Sequence, residues 1–239
     1  MKKELLFFTV FYALLLLSCK QEVETPKVIY DDSKVTSIPK SDTTQIQVAD
    51  LPIQFKGSRF LIHPIGDLSI HNRGLKSTYG ASNRGSISFT ISNFSDYEIT
   101  GFLRNLKFQE VGSDSLVLLT NRTVLIQTAT FLMSVANKTK QQVIVYTLAD
   151  SDTNHDNKID TNDIKTLYLS ESDGKRFTKF TPNLDELIDW NFVESNNRLY
   201  FRSIEDTNKN GAFDQKDSIH YSFIDLTTNE WKVTNYKPI

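Results

Sequence analysis

The chain has a single cysteine, Cys19, among its 239 residues. A lone thiol excludes an internal disulfide framework. No basic stripe occurs anywhere and the formal net charge is −2, so nucleic acid is excluded as an expected partner. Long hydrophobic runs are missing as well. The longest, Leu5–Leu17 interrupted only by Thr9, has 13 residues, against the ~20 needed to cross a bilayer. There is no nucleophile elbow, no phosphate-cradling glycine loop and no paired-histidine zinc signature. The four histidines, His63, His71, His155 and His220, are scattered. Beyond Cys19 no window of a dozen residues repeats its apolar positions at helical spacing. What is present is an ordinary globular composition, 39% hydrophobic and 23% charged, enough to bury a core.

The amino terminus explains the cysteine. Lys2 and Lys3 form a basic start, the apolar run has the length of a signal h-region, and it ends in Leu16-Leu17-Ser18-Cys19. Those four residues resemble a lipobox. The resemblance implies cleavage after Ser18, a diacylglycerol thioether on Cys19 and a further acyl chain on its freed amine, and two or more chains hold a protein firmly to a membrane. Residues 1–18 are therefore expected as a lipoprotein signal peptide and Cys19 as the lipidation site. The competing reading is an ordinary secretory signal with an incidental cysteine. No Asp follows Cys19, and Lys20-Gln21-Glu22-Val23-Glu24 is similar to the surface-export signals of Bacteroidota envelope lipoproteins. That resemblance implies an outer-membrane lipoprotein, facing the periplasm or the cell surface.

Residues 19–54 are polar, carry Pro26, Pro39 and Pro52, and show neither helical nor alternating period, so they read as a flexible tether. About 30 extended residues would reach up to ~100 Å. Residues 55–239 read as one all-β domain. In Gly85–Ser92, Ile87, Phe89 and Ile91 alternate with polar residues, and Leu116–Leu119, Val124–Ile126, Val143–Tyr146, Leu167–Leu169 and Leu199–Phe201 are short apolar runs of β-forming residues. Turn signals such as Gly112-Ser-Asp, Asp173-Gly174 and Asn196-Asn197 separate them.

Tyr146–Asp163 aligns without gaps on Tyr200–Asp217, an offset of 54 residues. Without a 12-residue loop, that period falls inside the ~40–45 residues of a propeller blade. Leu167–Pro182, followed by Ile188–Phe192 and Arg198–Phe201, resembles blades of the TolB type, and Gly101–Phe108 resembles the opening of an earlier one. The resemblance implies short antiparallel blades in a partial or small propeller-like domain; a β-sandwich is the alternative.

The repeat carries two acidic loops, residues 152–163 and 206–217. Read as 12-residue calcium loops, the first offers side-chain oxygens from Asp152, Asn154, Asp156, Asp160 and Asp163 and the backbone carbonyl of Lys158. The second offers Asp206, Asn208, Asn210, Asp214 and Asp217 and the carbonyl of Ala212. Asn157 and Gly211 stand at the sharp turn, where a left-handed backbone is needed. Ile159 and Phe213 are expected to anchor the loops inward. Hard oxygen donors select Ca²⁺ over softer metals. Both loops resemble those of EF-hands and dockerins, without the flanking helices. The competing reading is a pair of Asx-rich β-turns.

The expectation is a membrane-anchored extracytoplasmic lipoprotein with a calcium-stapled β-domain, binding or structural rather than enzymatic. Its expected partners are the membrane, through the lipid, and an envelope protein or a glycan. The alternative is a surface glycan-processing hydrolase on the same scaffold, which requires two carboxylates ~5–10 Å apart in a pocket.

Overall fold

The structure, a computed structural model, describes residues 26–30, 46–68 and 90–239. The lipobox with Cys19, most of the Gly85–Ser92 strand and His71 lie outside them. Among the described residues no helix is long and apolar enough to cross a membrane.

The first sheet holds β1 (Ile46–Ala49), β2 (Ile53–Gln54), β3 (Phe60–Leu68), β4 (Ser92–Phe94), β5 (Glu98–Glu110), β6 (Leu116–Leu118) and β7 (Leu125–Phe131). After the short helix α1 (Met133–Thr139) it continues with β8 (Val143–Ala149), β9 (Thr166–Glu171) and β10 (Thr178–Lys179). The second sheet holds β11 (Glu186–Val193), β12 (Arg198–Glu205), β13 (Ser218–Asp225) and β14 (Val233–Asn235). Pairing in the first sheet follows β1-β3-β5-β7-β8-β9-β10, with β2 on β3 and β4 and β6 on β5; the second runs β11-β12-β13-β14.

The strand β8, Val-Ile-Val-Tyr-Thr-Leu-Ala, joins the two layers because all seven of its residues are buried. Successive side chains leave a strand on opposite faces. Ile144, Tyr146 and Leu148 enter a core with Ile62, Leu103, Leu106, Phe108, Ile126 and Tyr168. Val143 and Val145 enter a second core, where Leu167 and Leu169 of β9 meet Leu187, Leu199, Phe201 and Ile224 of the second sheet. The arrangement is two antiparallel sheets in sandwich-like contact, as an apolar run buried on both faces requires.

The propeller expectation is corrected here, and the TolB-type blades with it. A propeller repeats four-stranded blades radially around a channel, whereas here a ten-stranded sheet lies with a single four-stranded one and neither closes or curls as a propeller would. The segment read as one blade is split: β9 and β10 belong to the first sheet, β11 and β12 to the second. Gly101–Phe108 opens no blade, being the interior of the 13-residue β5. The 54-residue offset therefore repeats a hairpin loop and not a structural unit. Its first copy joins β8 to β9 and its second joins β12 to β13.

The span read as a tether contributes to this domain. β1 pairs with β3 along Ile46–Ala49, β2 pairs with β3 through Ile53 and Gln54, and residues 26–30 lie against both acidic loops, as described next.

Candidate functional site

Each acidic loop closes on itself through the same hydrogen bonds. In the first, the Asp152 carboxylate accepts from the backbone N–H groups of Asp156 (3.1 Å) and Asn157 (2.8 Å). The second repeats this with Asp206 accepting from Asn210 (3.2 Å) and Gly211 (2.7 Å). Asn154 Oδ1 accepts from Asp156 N and Asp156 Oδ1 from Lys158 N; Asn208 and Asn210 do the same toward Asn210 N and Ala212 N. Asp160 accepts from Asn162 N, and Asp214 from Lys216 N. The last residue of each loop ties its two ends together. Asp163 accepts from Thr153 N (2.7 Å) and Asp160 N (2.8 Å); Asp217 accepts from Thr207 N (3.1 Å) and Asp214 N (2.8 Å).

The backbone agrees. His155 and Asn157 have φ of 58° and 67°, and Lys209 and Gly211, the residues 54 later, have φ of 57° and 83°. Ile159 is buried against Leu125 and Ala149, while Arg104 of β5 donates to the Ile159 carbonyl at 3.0 Å. Phe213 is only half-buried, so the second loop is the more weakly anchored. Burial pushes the Asp163 carboxyl above its usual range, opposed by the backbone donors aimed at it. Asp150 faces away from this circuit, accepting from Tyr168 (2.7 Å) and pairing with Lys179 (2.9 Å).

The expectation of metal-binding carboxylate clusters is corrected by this geometry. Among the described residues no three His, Cys, Asp or Glu side chains gather as a group that could hold a metal ion. The physical reason is visible in the circuit: the carboxylates point at backbone N–H groups spread along each loop, and the neutral donors Asn154, Asn208 and Asn210 stand between them.

Residues 26–30 span both loops, a feature the sequence reading missed. Lys27 N and Val28 N donate to Gly211 O (2.7 and 3.2 Å), and Ile29 N donates to Thr153 O (2.9 Å). Thr153 Oγ1 donates back to Lys27 O at 2.7 Å. Val28 is 2% exposed, Lys27 pairs with Glu186 at 3.1 Å, and the Tyr30 hydroxyl lies near the Asp206 carboxylate. Burial, reinforced by that carboxylate, pushes the Tyr30 phenol up to about 12. The Thr that follows the first Asp of each copy gave no signal for this contact, since Thr207 in the second copy bonds Glu205 O and Ser218 Oγ instead. Thr153 serves the loop and the docked segment together.

The other end of the β8–β9 hairpin, about 20 Å away along the seven residues of β8, borders a cleft of about 470 Å³. Its wall comes from the β9–β10 turn, the residues between α1 and β8, the start of β3 and the segment before β14. Arg176 stacks on the Trp231 ring at 4.1 Å and pairs with Glu171 at 3.2 Å. Asp173 pairs with Lys175 at 2.6 Å. Ser172 donates to Gln142 Oε1 at 2.7 Å. Two lining groups are buried with no hydrogen-bond partner, Trp231 Nε1 and Gln141 Oε1.

Compared with known proteins, the chain matches no family model, no curated protein and no solved structure. The resemblances to TolB-type blades, to EF-hand and dockerin families and to Bacteroidota envelope lipoproteins thus have no family match behind them, and the two-sheet fold overturns the first outright.

Proposed function

We propose that this chain is a lipid-anchored extracytoplasmic binding module whose two acidic loops take Ca²⁺ as structural staples. The observation that carries the reading is the hydrogen-bond circuit repeated residue for residue in the two loops, with its left-handed turns at matching positions. Donor chemistry fits a hard cation: every candidate ligand is oxygen, from Asp152, Asn154, Asp156, Asp160 and Asp163 with the Lys158 carbonyl, and from Asp206, Asn208, Asn210, Asp214 and Asp217 with the Ala212 carbonyl. Calcium at ~100 times its Kd would then stabilise the fold by ~2.7 kcal/mol per site. The test is scanning calorimetry of the mature chain with millimolar calcium and with EDTA. A melting temperature indifferent to both sinks the calcium reading. For the anchor, Cys19→Ala should move the protein out of the membrane fraction, and mass spectrometry showing an unmodified Cys19 on the native mature protein overturns it.

The second reading is a glycan-processing hydrolase. It is favoured by one observation, that Glu171 and Asp173 both line the 470 Å³ cleft. Each is ion-paired, with Arg176 and Lys175 respectively. Reducing ends released from polysaccharide by the native chain and not by Glu171→Gln would establish it.

A further inference from the structure

We infer that the bond between Asn210 and Gly211 is a deamidation site, held shut by the docked segment 26–30, and that reaction there changes the second loop permanently once the segment lifts. Of the nine glycines in the chain only Gly211 follows an asparagine. Glycine favours the step because no Cβ blocks the approach to its nitrogen. Gly211 N gives up its proton and attacks Asn210 Cγ; the new C–N bond closes a cyclic imide, and ammonia leaves carrying that proton. Water then opens the imide at either carbonyl. One opening leaves aspartate at position 210. The other leaves isoaspartate, in which the main chain runs through the former side chain. The net change is amide plus water to acid plus ammonia, and neither a bound ion nor a lipid enters it.

The folded loop opposes each requirement of this step. Gly211 N–H is buried and donates to the Asp206 carboxylate at 2.7 Å, a charge-assisted bond that resists loss of the proton. Asn210 Oδ1 accepts from Ala212 N at 2.8 Å, an Asx turn that fixes the side chain. The docked segment closes over both. Lys27 N and Val28 N donate to Gly211 O, and Val28 O lies 2.4 Å from where a Cβ on Gly211 would stand. Reaction therefore requires the segment to lift and the loop to open, and its rate follows the fraction of chains that are open. The first loop has no counterpart. Its matching pair is Asp156-Asn157, and Asn157 precedes Lys158.

The two products differ in consequence. Aspartate at 210 reproduces Asp156, which accepts from Lys158 N at the same 2.8 Å that separates Asn210 from Ala212 N. It gives the second loop the acidic set of the first and lets the segment return. Isoaspartate lengthens the main chain by a carbon and displaces Gly211 from Asp206 and from the segment. With Val28 O already so close to Gly211, the segment has no room to dock again.

The experiment is peptide mapping by mass spectrometry of the full mature chain, aged in mildly alkaline buffer with and without urea. The folded chain should lose the Asn210 amide at least about tenfold more slowly than the unfolded one. Val28→Asp should raise the folded chain's rate at least about tenfold, the equivalent of losing one buried valine. Thr153→Val removes the bond to Lys27 O from the other loop; it should also raise the rate, and it keeps the test readable where Val28→Asp fails to fold. Hydrogen exchange is the second readout. Asn210→Asp should protect the amides of residues 27–29 as the parent does, while the isoaspartate form, purified from the aged chain, should leave them unprotected. Amide loss at equal rates with and without urea overturns the protection by the fold. Thr153→Val and a folded Val28→Asp both ageing at the parent's rate overturn the role of the segment. Residues 27–29 still protected in the isoaspartate form overturn the permanent release.

Discussion

Gly211 shows how narrowly the docked segment fits. A Cβ there would stand 2.4 Å from the Val28 carbonyl oxygen and 2.7 Å from Pro26 Cβ, on a backbone with φ of 83°. Gly112 has the same kind of backbone, φ 86°, and open space around it. Gly112→Ala should therefore cost only the left-handed strain, about 1–2 kcal/mol, while Gly211→Ala adds a backbone clash and should cost about 1–3 kcal/mol more. Urea unfolding of the two variants side by side measures the difference. Asp185 offers a pH test. Its carboxylate is 4% exposed and takes the Ser203 hydroxyl at 2.8 Å, and burial pushes it above the usual carboxylate range. The folded state thus favours the protonated form. That preference is fully present below the unfolded carboxylate's ordinary value and is lost as pH rises through the raised folded one. Asp185→Asn keeps an acceptor for Ser203 and removes the ionisation, so it should be more stable than the parent at pH 7. The gap should close as pH falls below about 4, read from denaturant midpoints at both pH values.

At the scale of the element, legibility in the sequence followed the range of the signal. Val143–Tyr146 is a continuous apolar run, and it became a strand buried on both faces. The loops were legible because every contact in their circuits lies within about a dozen residues, so spacing alone encodes it. The repeat misled because an identical loop can close hairpins in two different sheets; hydrogen-bond partners between sheets leave no mark at a fixed offset. Residues 26–30 were unreadable for a related reason. Val28 and Ile29 sit in a polar stretch with no period, and only the loops, far along the chain at Thr153 and Gly211, give them a place. Val28→Asp should free this segment. Burying Val contributes about 1.5–3 kcal/mol, so the melting temperature should fall by roughly 5 °C. Where the loops take calcium as proposed, its affinity should weaken in both together, because residues 27–29 hold Gly211 and Thr153 at once. Calorimetric titration that finds either loop unaffected would separate the segment from the sites.

For the whole molecule, the two cores share β8 and β9, so neither sheet is independent. Val145, Leu167 and Leu169 on the first sheet face Leu199, Phe201 and Ile224 on the second. A chain ended after Pro182 would keep the first core and expose that apolar face. It should bind a hydrophobic dye and self-associate, whereas the intact chain should unfold in one transition. Analytical ultracentrifugation of the truncated chain distinguishes this from two autonomous layers. The cleft was illegible at every scale below this one. Phe60, Lys140, Glu171, Arg176 and Trp231 come from four stretches of chain that only the assembled sheets bring together, and none carries a local motif.

The docked segment also sets how the domain is moored. Pro26 is the seventh residue after Cys19, and seven residues span at most about 25 Å. With lipid on Cys19, the leash is a quarter of the length that a free 19–54 stretch would give. It attaches at the end of the molecule bearing both loops. The loops would then hang close over the headgroups and the cleft would stand at the far end, about 20 Å further out along β8. Were the chain lipidated and its loops filled with calcium as proposed, the cleft would be held toward solvent, and stripping the ion would loosen the mooring and the orientation together.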